Sequence, residues 1–164
     1  MQAQIVQIRQ SPDYTQDILR GAELLAGGKL LVLPTETVYG VAGSLADSAS
    51  RSALHELRSS PNKPLTLHVA RPHDALAYLG EVKDLATRMM RKLWPGPVGL
   101  VFSVPQDRRR QVVAKWGLEE TDLYDGDSIT IRCPDDRVFF DIVSRVDKPV
   151  ALSAPGGIPT QRQV

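Results

Sequence analysis

The sequence has little cysteine, few aromatic residues, almost no net charge and no long apolar run. Its single cysteine, Cys133, excludes a disulfide framework and a thiolate zinc cluster within the chain, and it suits a reducing compartment. A net charge of +1 gives no global field that attracts nucleic acid or an acidic membrane. No apolar stretch approaches the roughly 20 residues of a membrane-spanning helix, and MQAQIVQIRQ does not resemble a signal peptide. We therefore expect a cytoplasmic protein.

The composition is typical of a globular domain, with 42% hydrophobic and 24% charged residues over 164 positions. Short apolar runs alternate with helical periodicity, which predicts an α/β or α+β fold. Strands are predicted over residues 5–8, 30–33, 65–70, 98–104, 128–133 and 150–152. Helices are predicted from Thr15 to Gly27, after Asp47, around residues 85–93 and after Asp135 or Asp136.

Residues 105–127 carry the least regular pattern. Arg108, Arg109 and Arg110 form a basic cluster, and an acidic stretch containing Glu119 and Glu120 follows it. Opposite charges this close together favour a solvated, mobile excursion. An RNA-binding patch on the three arginines is the less favoured alternative.

Polar side chains follow several of the predicted strands. PTETVYG occupies residues 34–40, directly after the strand that ends at Leu33. His68 lies in KPLTLHV, Arg132 ends the strand in SITIRCP, and Ser153 follows the strand in VALSAPGG. Ligands of α/β folds bind at strand ends, so a shared pocket is predicted. The alternatives are turn and capping chemistry, a core histidine and an ordinary ion pair for the arginine.

Five segments, in order, resemble the YrdC-like family, whose characterised members are threonylcarbamoyl-AMP synthases: GGKLLVLPTETVYG, KPLTLHV, LWPGPVGLVF, SITIRCP and LSAPGG. The resemblance implies one YrdC-like domain over residues 1–164. Its twisted, mostly mixed sheet would be flanked by helices around a concave cavity. It further implies a nucleotidyltransferase that binds ATP, L-threonine and bicarbonate, with Mg²⁺ held by the phosphates and no metal site in the protein. The product would be threonylcarbamoyl-adenylate, made with release of pyrophosphate, for N6-threonylcarbamoyladenosine formation in tRNA with partner proteins.

The resemblance also implies roles for individual residues. The threonine site would consist of Thr35, Thr37, Tyr39, His68 and Arg132. The nucleotide site would consist of Arg58, Lys63, Ser128 and Ser153. No acid–base catalyst is assigned, because the threonine amine and then the carbamate are the nucleophiles. Catalysis of this kind depends on positioning and on stabilising negative charge.

The chain departs from the family pattern at three places. Leu57 and Ser59 replace the Lys and Arg of a Lys-x-Arg motif, and Pro155 replaces an Asn. The family's C-terminal Gly-Gly segment and following strand do not precede Val164, so that segment is either missing from this sequence or absent from the protein. An active synthase is the first hypothesis. The alternatives are a catalytically impaired paralogue that binds nucleotide or double-stranded RNA, and an interaction domain with a vestigial cavity.

Overall fold

The computed structural model describes residues 4–58 and 62–153. Within them, seven strands form one sheet: β1 Leu31–Leu33, β2 Gly40–Ser44, β3 Leu67–His68, β4 Gly99–Ser103, β5 Tyr124–Asp125, β6 Ser128–Arg132 and β7 Val150–Ser153. The α-helices are α1 Tyr14–Ala26, α2 Ser48–Glu56, α3 Leu76–Leu79, α4 Asp84–Leu93, α5 Gln106–Trp116, α6 Glu120–Leu123 and α7 Arg137–Val143. Short 3-10 helices cover Ile8–Gln10 and Pro72–Ala75.

The sheet is open and mixed, with the strand order β1-β2-β7-β3-β6-β4 and with β5 beside β6. Strands β3 and β6 run parallel, whereas the other pairs in the described residues are antiparallel. The predicted α/β class is therefore confirmed, and the sheet is mostly antiparallel.

Hydrophobic cores lie on both faces of the sheet because successive strand residues point to opposite faces. Leu33, Ala42 and Val150 lie on one face, in a core that α1 and α7 complete. Leu67 and Ile131 lie on the other face, in the core that includes residues of α2, α4 and α5. On the first face, Val101 of β4 is 68% exposed, so α1 and α7 leave the β4 end of this face open.

Helix capping follows the sequence at two of the predicted helices. The Asp47 carboxylate accepts the Ser50 N–H at 2.8 Å at the start of α2. The Asp136 carboxylate accepts the N–H groups of Val138 and Phe139 at 2.8 and 3.1 Å at the start of α7. Both carboxylates satisfy amide groups that have no partner inside the helix.

Strand β2 has no counterpart in the predicted elements. Its sequence, GVAGS, contains two glycines and reads as part of a loop, yet it pairs with β1 on one side and β7 on the other. A Cβ at Gly43 would lie 2.3 Å from the Ser50 Oγ and 2.9 Å from a Leu54 methyl group. Glycine is needed here because α2 packs directly on the strand.

Other predicted elements are wrong or differ in extent. The strand predicted over residues 5–8 is absent from the described structure, where Ile5 is 85% exposed and a 3-10 helix begins at Ile8. The strand predicted over residues 65–70 is limited to β3, and on α4 the buried residue is Met90 whereas Leu85 is exposed.

The predicted excursion over residues 105–127 is also wrong, because α5, α6 and β5 occupy it. The Arg109 guanidinium donates to the Val104 carbonyl at 2.9 Å and pairs with Glu120. Arg108 donates to the Ala77 carbonyl on α3. Two of the three clustered arginines thus hold α5 against neighbouring segments.

Candidate functional site

A cavity of about 270 Å³ opens on the first face of the sheet, beside the part that α1 and α7 cover. Its polar lining consists of Thr35, Thr66, His68, Thr130 and Arg132, and its apolar lining includes Val38, Pro97 and Leu152. Three hydroxyls, an imidazole and a guanidinium in one concave space fit a small polar ligand that has both an anionic group and an apolar part.

The sheet register brings the imidazole and the guanidinium together. His68 of β3 lies opposite Arg132 of β6, which lies opposite Gly99 of β4. Residues directly opposite each other project from the same face. Gly99 carries no side chain, so the space beside Arg132 stays open. Thr66 and Thr130 each precede a site residue by two positions, and strand alternation could have identified them from the sequence.

Thr35 organises the loop that follows β1. Its hydroxyl accepts the N–H groups of Thr37 and Val38, both at 3.2 Å, and donates to the Val38 carbonyl at 2.7 Å. This side-chain turn shapes the wall of the cavity from within the PTETVYG segment. Thr35 lines the cavity, whereas Tyr39 is 67% exposed, and neither Tyr39 nor Thr37 is part of the lining.

Arg132 is held by two residues of the same loop. One terminal nitrogen, Nη2, donates to the Glu36 carboxylate and to the Thr37 Oγ1, the latter at 3.0 Å. The second Glu36 oxygen accepts the Asp135 N–H at 2.9 Å. Burial opposes ionisation of Glu36, but hydrogen bonds from its own backbone, Arg132 and Asp135 outweigh it and lower its pKa. Glu36 is thus an anion in direct contact with the site.

Glu36 is a further residue that sequence reasoning missed, in addition to Thr66 and Thr130. It lies between two residues that were assigned to the threonine site, within the same PTETVYG motif. Its acidic side chain was the available signal, since a carboxylate near the cavity is the natural partner of an arginine.

The imidazole of His68 is buried and neutral. Its Nδ1 lies 2.9 Å from the Thr66 carbonyl oxygen and 3.2 Å from the Leu152 amide nitrogen, and its ring meets Phe139 edge-on at 6.3 Å. Burial lowers the pKa of His68 to about 4, and the charge of Arg132 acts in the same direction. A neutral ring contributes hydrogen bonding and shape to the cavity, without adding a second positive charge.

The buried imidazole predicts a specific pH dependence of stability. Between the ordinary histidine pKa of about 6.5 and the folded value of about 4, the unfolded chain binds a proton that the folded chain does not. The free energy of unfolding should therefore fall as the pH falls through this window, by about 3 kcal/mol in total. Urea unfolding of the wild type and of His68→Gln at about pH 7.5 and about pH 4.5 measures this contribution.

The His68→Gln variant should lose that part of the pH dependence. His73→Gln is the matched control, because the His73 side chain is 72% exposed, and it should retain the wild-type dependence. An unchanged pH dependence in His68→Gln would show that the buried ring is not its source.

The structure does not bring the predicted nucleotide residues Ser128 and Ser153 into the cavity. Ser128 shares a face with Arg132 but lies at the opposite end of β6, with its hydroxyl 3.4 Å from Asp127. Ser153 follows the cavity residue Leu152, so strand alternation turns it to the other face, where its hydroxyl is buried without a hydrogen-bond partner among the described residues.

Arg58 and Lys63 also lie outside the cavity lining. Arg58 donates through Nη1 to the carbonyls of Lys63 and Pro64 at 2.8 and 2.7 Å, and Lys63 itself is exposed. The guanidinium thus links the end of α2 to the residues that precede β3. Of the positions that depart from the family pattern, Leu57 is half-buried after α2, whereas Ser59 and Pro155 lie outside the described residues.

Residues 4–58 and 62–153 contain no group of three or more His, Cys, Asp or Glu side chains placed to hold a metal ion. No helix in this part of the chain combines the length and apolar character needed to cross a membrane.

Comparison with known proteins shows what the chain resembles. Among curated relatives, the threonylcarbamoyl-AMP synthase of Pyrococcus abyssi is 27% identical over 79% of this chain and 36% of its own length. The Bacillus subtilis synthase is 26% identical over 82% of this chain and 36% of its own length. The mouse (Mus musculus) synthase is 27% identical over 86% of this chain and 46% of its own length. The chain therefore spans less than half the length of these relatives.

Solved structures share the fold. The crystal structure of P. abyssi Sua5 in complex with L-threonine matches 85% of this chain and 38% of its own, with a TM-score of 0.66 and 24% identity. The crystal structure of E. coli YciO matches 87% of this chain and 66% of its own, with a TM-score of 0.69 and 18% identity. The sequence model of the Sua5/YciO/YrdC family, described as telomere recombination, matches residues 23–157. With most of its length matched by that model, and with a fold shared with the E. coli YciO structure, this chain belongs to the Sua5/YciO/YrdC family.

Proposed function

We propose that the protein is a threonylcarbamoyl-AMP synthase-type nucleotidyltransferase. The observation that carries the proposal is the convergence of Arg132, His68 and three threonine hydroxyls on one cavity of about 270 Å³. Relatives named threonylcarbamoyl-AMP synthase and a related structure that contains L-threonine support the choice of substrate. The product would serve the formation of N6-threonylcarbamoyladenosine in tRNA, together with cytoplasmic partner proteins.

The proposed reaction has two steps. The amine of L-threonine attacks the carbon of bicarbonate and water leaves, which gives a carbamate. A carbamate oxygen then attacks the α-phosphorus of ATP, and pyrophosphate leaves with the electrons of the broken P–O bond. Both steps need the reactants to be held close together and the negative charge to be stabilised, rather than a nucleophile from the protein.

The residues of the cavity fit the amino-acid half of this reaction. The Arg132 guanidinium would hold the threonine carboxylate through charge-assisted hydrogen bonds. His68, neutral at physiological pH, would orient polar groups of the substrate without repelling its ammonium group. The hydroxyls of Thr66 and Thr130 would supply further hydrogen bonds along the cavity floor.

The nucleotide half has weaker support from the geometry. Arg58 is engaged with two backbone carbonyls, and Leu57 stands where the family has a cation. Two charge-assisted phosphate contacts are worth about 1.5–3 kcal/mol each. Their loss would weaken nucleotide binding or turnover by roughly two to four powers of ten. Mg²⁺ would enter on the ATP phosphates.

The loss of both cations of the Lys-x-Arg motif, at Leu57 and Ser59, favours a second candidate function. A paralogue with this cavity and with fewer cations for the triphosphate would bind L-threonine or a nucleotide while turning over slowly.

Double-stranded RNA binding through Arg108–Arg110 has less support, because Arg108 and Arg109 already donate to backbone carbonyls. An RNA-retention assay over increasing salt would reveal phosphate contacts as a steep loss of affinity.

The function is tested by measuring pyrophosphate release with ATP, L-threonine and bicarbonate, and with each substrate omitted in turn. The synthase proposal predicts release that requires all three. Release that does not depend on L-threonine, or no release at all, contradicts it. L-threonine or nucleotide binding by calorimetry in the absence of turnover would favour the impaired paralogue.

A further inference from the structure

We propose that Glu36 is a positioning residue that sets the orientation of Arg132 for a carboxylate-bearing ligand. This inference rests on the proposed function for the identity of the ligand, L-threonine. It concerns a residue that is not among those expected to contact the ligand, and it follows from the hydrogen bonds around the Arg132 guanidinium.

Glu36 joins three segments of the chain at one carboxylate. It lies in the loop after β1, one oxygen accepts from Arg132 at the end of β6, and the other accepts the Asp135 N–H ahead of α7. The Glu36 and Arg132 side chains are only 20% and 18% exposed. Because a backbone amide as well as the guanidinium holds this carboxylate, it stays in one position and does not act as a mobile counter-ion.

The contacts with the loop use one nitrogen of the guanidinium. Nη2 is occupied by Glu36 and Thr37, whereas Nε is buried and has no hydrogen-bond partner among the described residues. An arginine side chain without such contacts samples many rotamers, and ligand binding must then order it. Glu36 thus orders Arg132 before the ligand arrives, while the hydrogen bonds to the loop use only Nη2.

An alternative role for Glu36 predicts the opposite result. If its carboxylate occupied the position of the ligand's own carboxylate, it would compete with the ligand and removing its charge would strengthen binding. The independent bond to the Asp135 N–H argues for positioning instead, because it anchors the Glu36 carboxylate beside Arg132. The two roles therefore predict opposite changes in L-threonine affinity when the charge of Glu36 is removed.

The test is Glu36→Gln, which keeps the size and an acceptor for the Asp135 N–H but removes the charge. Calorimetry with L-threonine should show about tenfold weaker binding or more, as expected for a lost charge-assisted contact. In steady-state kinetics, KM for L-threonine should rise by a similar factor while KM for ATP changes little. Glu23→Gln, at an exposed position of α1, is the matched control and should behave like the wild type.

A second readout does not depend on the substrate. The Arg132 Nε–H resonance in ¹H–¹⁵N spectra, assigned by its loss in Arg132→Lys, should exchange slowly with water in the wild type and several-fold faster in Glu36→Gln. If the wild type binds no L-threonine, the proposed function fails, and this exchange rate alone decides whether Glu36 positions Arg132. Unchanged exchange, or equal or tighter L-threonine binding by Glu36→Gln, overturns the inference.

A structure of the wild type with L-threonine covers the case in which Glu36→Gln does not fold. Positioning predicts that both Glu36 hydrogen bonds persist in the complex, with the ligand carboxylate on the remaining Arg132 donors. A ligand carboxylate that displaces Glu36 from Arg132 overturns the inference.

Discussion

Replacing Arg132 with lysine is expected to lower kcat/KM for L-threonine by about a hundredfold or more. A guanidinium presents several donors in a fixed plane, whereas an ammonium is a point charge on a flexible stem. Lysine at this position could not keep the hydrogen bonds to Glu36 and Thr37 and also reach the ligand. The loss corresponds to about 3 kcal/mol, the order of a good charge-assisted contact.

The measurement is the initial rate of threonine-dependent pyrophosphate release, combined with calorimetric binding of L-threonine. Arg110→Lys is the matched control, since Arg110 is exposed on α5 and away from the cavity lining. It should retain wild-type kinetics. An Arg132→Lys variant with wild-type kinetics would remove Arg132 from the site.

Truncating Phe139 to alanine is expected to lower the free energy of unfolding by about 3–5 kcal/mol. Phe139 is fully buried on α7, in the core that covers one face of the sheet, and its ring also contacts His68. The change removes a large apolar side chain and leaves a cavity that the surrounding residues only partly fill. Because the lost ring supports the imidazole, weaker L-threonine binding should accompany the loss of stability.

Urea unfolding at neutral pH measures the effect. Leu85→Ala is the control, because Leu85 is 64% exposed on α4 and its truncation should change stability by no more than about 0.5 kcal/mol. A loss of stability in Phe139→Ala that is as small as the one expected for Leu85→Ala would show that the core between α7 and the sheet contributes little to stability.

Much of the fold could be predicted because local patterns and tertiary packing agree. Asp47 and Asp136 begin helices where their side chains cap them, and β4 and β6 coincide with alternating apolar runs. The failures occur where packing overrides local composition. Strand β2 is rich in small residues because α2 packs on it closely, so it has no apolar alternation to detect. Helix α5 has one buried residue, Val112, and its charges conceal the helical period.

The candidate site was predictable to the extent that the strand register could be inferred. His68 and Arg132 lie opposite each other across β3 and β6, as a shared pocket at strand ends requires. Ser153 lies one residue from a cavity position, and a shift of one residue reverses the face of a strand side chain. Ser128 lies four residues from Arg132, which is about 13 Å along an extended strand. Sequence order alone does not contain these distances.

The proposed function depends on a binding site for a small amino acid at the ends of β1, β3 and β6. An NMR titration with L-threonine, following the backbone amides, tests it most directly. Binding of L-threonine in the cavity should give saturable shifts concentrated at residues 35–40, 66–68, 99 and 130–132, with little change on α5. An absence of saturable shifts, or shifts confined to surfaces remote from His68 and Arg132, would contradict it.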